Sequence, residues 1–429
     1  MSERRAFPKS VQAGIPRLGS KPHGWTTYNL GELLEIVERP IRLKPQEQYQ
    51  LVTAKRSRGG IVQREKLKGQ SIKTKTQFVA KGGDFLISRR QIAHGACGIV
   101  PANLDNAVVS NEYATLRPTA LLDMSFLKHM SNSIYFQQTC FHSSIGVHVE
   151  KLVFDLEYWL TWQFHLPPIA DQKRIAAVLD EWDEAISTAE KLIDAKRRRN
   201  LSITDRLVFD ATSEVPIGDV ATQTSQLAGQ RFESYRVLSC TKHDGLVLSD
   251  SYFDRQVYSN DRHAYKVIAP GEFAYATNHL EEGSIGQNNN GIVGIVSPMY
   301  TTFRANGVDG NYLRLVLKTE RLRKEFERRT PASVNRRGGL RWSDFAEIRI
   351  PSRSLIEQVG IADRVMAFEA ELKDQIALSE KWRLQKRGLM QKLLSGDWPV
   401  PASIDRLLPG AQDLHETLGA KVQRAEATG

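Results

Sequence analysis

Whatever this chain folds into, it folds into it twice. The segment YQLVTAKRSRGGIV from Tyr49 is echoed by YRVLSCTKHDGLV from Tyr235, and FVAKGGDFLISRRQIAHGACGIV from Phe78 by YKVIAPGEFAYATNHLEEGSIGQ from Tyr265. The register holds along the chain: 186 residues separate Tyr49 from Tyr235 and Gln172 from Gln358, and 188 separate Gly83 from Gly271. That period far exceeds the ~20 to 50 residues of a solenoid repeat, so each copy is a domain with its own core and a long appendage. The 429 residues hold two such copies.

Each copy has two parts. Residues 20–166 and 212–350 mix short apolar runs, such as Phe85 to Ser88 and Ile292 to Val296, with Gly, Asn and Pro punctuation, which predicts short strands joined by polar loops. Helical patches at 121–137 and 312–328 make the expected class α+β. The remaining parts, 167–211 and 351–396, read as one long helix each, with a tail at 397–429. Ile175, Val178, Leu179, Trp182, Ile186 and Ile193 recur at helical spacing in the first, and Ile361, Val365, Phe368, Leu372, Leu389 and Leu393 in the second. Prolines mark where both begin, a place where the first amides lack carbonyl partners anyway. About 40 helical residues at ~1.5 Å each make a rod of ~60 Å, which needs a partner along its length.

Charge selects that partner. Asp171, Asp180, Glu181, Asp183, Glu184 and Glu190 precede Lys191, Lys196, Arg197, Arg198, Arg199 and Arg206 in the first helix. Glu357, Asp363, Glu369, Glu371, Asp374 and Glu380 precede Lys381, Arg383, Lys386, Arg387 and Lys392 in the second. Side by side in parallel, like charges would meet; antiparallel, acidic halves lie beside basic ones. Each exposed pair contributes only ~0 to 1 kcal/mol, so charge sets direction while the apolar stripe supplies stability. The expected architecture is therefore two homologous α+β domains separated by an antiparallel pair of long helices with an approximate two-fold relation. The alternative is two independent helices, each packed on its own domain and polarised to suit its macrodipole.

Lys plus Arg number 59 against 49 Asp plus Glu, a net charge of +10 that favours an acidic partner, nucleic acid above all. Three widely spaced cysteines, Cys97, Cys140 and Cys240, argue against a zinc ribbon or a disulfide framework. No run approaches the ~18 apolar residues of a membrane span, and MSERRAF lacks an apolar signal region, so no membrane partner and a cytoplasmic address are expected.

A two-fold arrangement suits duplex DNA, and the loops at matching places have diverged, KRSRGG against TKHDG and SRRQIAHGACG against TNHLEEGSIG. A two-part asymmetric site would be read. The candidates for phosphate and base contacts are Arg56, Arg58, Arg89, Arg90, Gln91 and His94 in the first copy, and Lys242, His243, Asn278, His279, Gln287, Arg336 and Arg337 in the second. For any single one, a solvated loop side chain is the competing explanation.

The segments LPPIADQKRIAAVLDEWDEAIS and ALSEKWRLQKRGLMQKLLSGDW resemble the specificity subunit of type I restriction-modification systems. The likeness spans roughly residues 20 to 398, and GLMQKLLSG at 388–396 is its most specific piece. It implies two target recognition domains, each reading half of a bipartite DNA site, with the helices acting as ruler and as docking surface for methyltransferase (modification) subunits. It also implies no cofactor on this chain: S-adenosylmethionine for adenine methylation would sit on the modification subunits, and ATP and Mg would serve a separate restriction/translocase subunit. The second copy departs from the family pattern with IPSRSLIEQ in place of a Pro-Pro, and the first offers only LSITDRLVF opposite GLMQKLLSG.

Catalytic motifs are consistent with a non-enzymatic subunit: the sequence has no GxxxxGK[ST], no [DN]PP[YF], no GxSxG and no HExxH. His142 and His148 have no third ligand in sequence, so no metal is expected. Two rival functions remain at this level, a coiled-coil scaffold that touches no nucleic acid and a free-standing asymmetric repressor.

Overall fold

The computed structural model describes residues 10–74, 76–330 and 339–407. The chain divides into two compact units, one of residues 1–188 with 379–429 and the other of residues 189–378. Both divisions fall inside the long helices, Ile169–Phe209 and Leu355–Leu394, so each unit holds one α+β domain and a half of each helix.

In the first unit, Thr26–Asn29 pairs antiparallel with Gln163–Leu166. A four-stranded sheet runs Leu34–Ile36, Tyr113–Pro118, Phe85–Ser88, Cys97–Ile99, and a five-stranded sheet runs Pro40–Ile41, Gln77–Ala80, Ala107–Ser110, Gln48–Ala54, Ile61–Lys68. The second unit repeats this plan. Ser213–Pro216 pairs with Arg349–Ser352; one sheet runs Ala221–Thr224, Tyr300–Ala305, Phe273–Ala276, Ile285–Gln287, and the other Gly245–Leu248, Arg236–Thr241, Gly294–Val296, Lys266–Ile268. Even the parallel contact recurs in place, between Gln48–Ala54 and Ala107–Ser110 and between Arg236–Thr241 and Gly294–Val296.

The uninterrupted apolar strands have a simple cause. Side chains alternate across a strand, so Phe85 and Ile87 enter one core while Leu86 enters another with Val52, Ile61 and Val109. Phe273 and Tyr275 face the main core of the second unit and Ala274 a smaller one with Leu238 and Ile268. Both strands are buried on both faces, which is why neither shows polar alternation.

The patch expected as helical over 121–137 is two helices, Met124–Met130 and Ile134–His142, each started by a capping side chain: Asp123 accepts from the Phe126 amide and Ser133 from the Phe136 amide. Its echo is likewise Gly310–Leu317 and Glu320–Arg329, capped by Asp309 and Thr319.

Inside each unit the long-helix segments run antiparallel. In the first, Ile175, Ala176 and Leu179 share a core with Met390 and Leu393, and further along Asp183 pairs with Lys386. In the second, Lys196 pairs with Glu371 at 2.6 Å, and further along Val208 shares a core with Ile361, Ala362 and Val365. Ile186 and Ile193 are buried, while Trp182, Phe368, Leu372 and Leu389 are half-buried. The stripe does a second job that periodicity alone did not reveal: Ile175 and Leu179, like Ile361 and Val365, also complete the cores of the α+β domains. The described part of the tail holds a short turn, Ala402–Leu407; residues 408–429 lie outside the described residues. No described helix is long and apolar enough to cross a membrane.

Candidate nucleic-acid interface

The hairpin Gln48–Ala54/Ile61–Lys68 is closed by residues 55–60, and this turn carries Arg56 and Arg58. Ser57 and Arg58 both have left-handed backbone, φ 57° and 61°, a conformation L side chains adopt at a cost. Two backbone bonds hold the turn to the loop between Phe85–Ser88 and Cys97–Ile99: the Ser57 amide donates to the His94 carbonyl at 2.7 Å and the Arg58 amide to that of Gly95 at 3.2 Å. Side chains add to this. The Arg56 Nε donates to Gln91 Oε1 at 2.7 Å and its Nη2 to Glu150 Oε2 at 2.6 Å. Glu150 belongs to a third segment, so three loops converge on one guanidinium.

The structure thus gathers Arg56, Arg58 and Gln91 at one place, with Arg90 close in sequence and paired to Glu112 at 2.6 Å. Arg58 is half-buried, and burial followed by the like charge of Arg387 lowers its pKa from the ordinary guanidinium value. Arg89 is half-buried, its carbonyl accepting from the Phe154 amide at 3.0 Å and its Nε buried without a partner. His94 corrects the sequence expectation. It is 0% exposed, its Nδ1 lies 2.9 Å from Ser10 Oγ, and burial, then the Arg56 charge, lowers its pKa, so it supports the loop and presents nothing to a ligand.

In the second unit the hairpin Arg236–Thr241/Gly245–Leu248 carries exposed Lys242 and His243 in its turn. The opposing loop carries half-buried Asn278 and exposed His279, whose Nδ1 lies 3.4 Å from Glu282. Turn and loop are joined by Lys318, whose Nζ donates to the Lys242 carbonyl at 3.1 Å and the Gly283 carbonyl at 2.8 Å. Burial lowers the pKa of this ammonium. Gln287 is a second correction: it is buried in strand Ile285–Gln287 and donates to the Gly271 carbonyl at 3.2 Å. It reads as polar next to glycine in sequence, but its strand is covered on both faces. Arg336 and Arg337 lie outside the described residues.

One backbone device is common to both units. Gly60 and Gly245, φ 70° and 68°, open the second hairpin strand, and each touches a glycine of the neighbouring sheet. A Cβ on Gly98 would stand 3.1 Å from the Gly60 Cα, and one on Gly286 would stand 2.6 Å from the Gly245 Cα. The loops have diverged while this contact persists in both copies. Glu150 and Lys318, which hold the loops, were missed from sequence, because a search for groups that contact DNA passes over a carboxylate and over a lysine on a helix end.

Elsewhere in the first unit, His129, Asp180 and Asp183 come together as a metal site might, but ammonium groups fill the space. Lys128 Nζ lies 2.7 Å from Asp180 and 3.2 Å from Asp183, and Lys386 also binds Asp183. This network ties helix Met124–Met130 to both long helices.

Residues 22–196 match the family model of the type I restriction modification DNA specificity domain. A comparison with curated proteins gives no match. Among solved structures, a chain from a study of complex assembly and conformational transition of the type I R-M system is 16% identical. It aligns over 89% of this chain and 100% of its own, with a TM-score of 0.59. The S subunit of a type I restriction-modification system from M. genitalium is 13% identical over 89% of this chain and 99% of its own, with a TM-score of 0.52. These two share the fold. With the duplicated sheets and the paired long helices, the chain shares the fold of these structures, and its residues 22–196 are similar to the type I restriction modification DNA specificity domain.

Proposed function

We propose that this chain selects the DNA site of a type I restriction-modification complex, each α+β domain reading one half of a bipartite, asymmetric target. The observation that carries this reading is the repeated turn-and-loop cluster: the same sheet arrangement and glycine contact present Arg56, Arg58 and Gln91 in one copy and Lys242, His243, Asn278 and His279 in the other. A shared sheet frame that carries different turns and side chains is what reading two unlike sequences requires.

The long helices fix the gap between half-sites and offer exposed Leu192, Leu201, Ile356 and Leu384 to methyltransferase subunits. The chain itself contributes recognition. Adenine methylation with S-adenosylmethionine, and translocation and cleavage with ATP and Mg, fall to modification and restriction subunits of a cytoplasmic complex. Methylome sequencing of a host carrying the partner subunits, with and without this chain, tests the reading. Methylation at one split motif should appear only with the chain, and replacing residues 20–166 with another such domain should change one half of the motif. Methylation that does not depend on the chain sinks the proposal.

A further inference from the structure

Next to the Arg56 cluster lies a feature that the fold does not require. The short hairpin Ser144–Ile145/Val153–Phe154 projects a tip whose aliphatic side chains face solvent, Val147 at 94% exposure and Ile145 at 68%. Exposed single apolar residues are ordinary, but these two share one tip beside a basic cluster, and nothing among the described residues of the unit covers them. The tip is fastened to the candidate DNA interface at two points. The Phe154 amide donates to the Arg89 carbonyl at 3.0 Å, and Glu150, three residues after Val147, binds Arg56 at 2.6 Å.

We propose that Ile145 and Val147 make an apolar contact with the bases of the half-site read by the first domain. Aliphatic side chains read the thymine methyl group in the major groove or press against a base step, and either adds discrimination without neutralising a phosphate. Arg56 and its neighbours supply the charge that brings the duplex to the tip. The inference rests on the DNA-specificity reading above and assigns residues to it that no loop-arginine search would select.

The test uses the complex assembled with its modification subunits and a fluorescent duplex carrying the methylated motif, titrated by anisotropy across a salt series. Ile145→Ser/Val147→Ser should weaken binding to the motif about fivefold or more while binding to a scrambled duplex stays constant. The slope of log K against log salt should also stay unchanged, because no phosphate contact is lost. Both side chains are exposed, so unchanged thermal melting is expected and checks that folding is intact. Wild-type discrimination in the double variant overturns the inference, as does a failure of the variant to assemble with modification subunits, which would make the tip a protein contact. A wild-type complex that does not distinguish the motif from the scrambled duplex instead refutes the DNA-specificity reading itself.

Discussion

The side-chain oxygen of Gln172 accepts the backbone amide of Asp123 at 2.8 Å, joining the start of the first long helix to the cap of helix Met124–Met130. Gln358 repeats the joint, accepting the Asp309 amide at 2.7 Å, and both glutamines are buried. Gln172 also donates to the carbonyls of Leu121 and Pro167, both at 3.0 Å, and Gln358 to that of Arg353 at 2.9 Å. Here lies a physical reason for the glutamine that recurs at a spacing of 186 residues: an amide both donates and accepts, and the joint needs both.

Gln172→Ala should therefore destabilise the first unit by about 2 to 3 kcal/mol, since it strands an amide and two carbonyls in a buried place. Gln172→Glu should do no better, because a carboxylate would face two carbonyl oxygens it cannot donate to. Denaturant unfolding of the full chain measures both; a loss below about 0.5 kcal/mol for the alanine variant would remove the joint from the account.

The glycine contact predicts an asymmetry between the two copies. Gly286→Ala sets a Cβ 2.6 Å from both the Gly245 Cα and the Leu246 nitrogen, where only backbone can yield, and should cost about 2 kcal/mol or more. At Gly98 the nearest approach is 3.1 Å, so Gly98→Ala should cost less. Comparing the two melting temperatures checks the order.

Glu150 binds the Arg56 guanidinium in the free protein, and that hydrogen bond holds its carboxyl below the usual carboxylate value. A phosphate must compete with it. Glu150→Gln should raise affinity for non-specific DNA about threefold at low salt and steepen the salt dependence by up to about one counterion. Anisotropy with a random duplex reads both, and unchanged binding would place Arg56 away from DNA.

Acidification should weaken the first unit in two stages. His129 is buried 2.9 Å from Asp180, and burial holds its pKa below the ordinary 6.5 although Asp180 opposes the shift. The unfolded chain then takes up this proton first, so the stability owed to neutral His129 is complete above about pH 6.5 and is lost as pH falls through its lowered folded pKa. For Asp180, burial would raise the pKa, but His129 and Lys128 bring it down to about 2, so its contribution is present above about pH 4 and lost as pH falls toward that value. Denaturant midpoints should decline from about pH 7 to about pH 2, and His129→Asn should flatten the upper stage alone.

The parts of this structure that were legible in sequence are those whose signals are local or repeated. The duplication needed only a register, and the long helices only a spacing and a proline. Helix breaks at Ser133 and Thr319 were written in their capping side chains yet were overrun by the apolar pattern around them. The site was harder to read because reach depends on burial. His94 and Gln287 sit in a loop and a strand beside more exposed candidates but are buried in protein, and Glu150 reaches Arg56 across 94 residues of sequence. No local pattern encodes such a meeting.

Thr26–Asn29 lies against Gln163–Leu166, and Ser213–Pro216 against Arg349–Ser352. The polypeptide therefore comes into each domain and goes out of it through one antiparallel doorway. Genetic recombination between those two strands would hand over a whole reading cassette with its fold closed behind it, leaving the helical scaffold in step. One exchange at each doorway would thus swap a domain while both long helices keep their length and register.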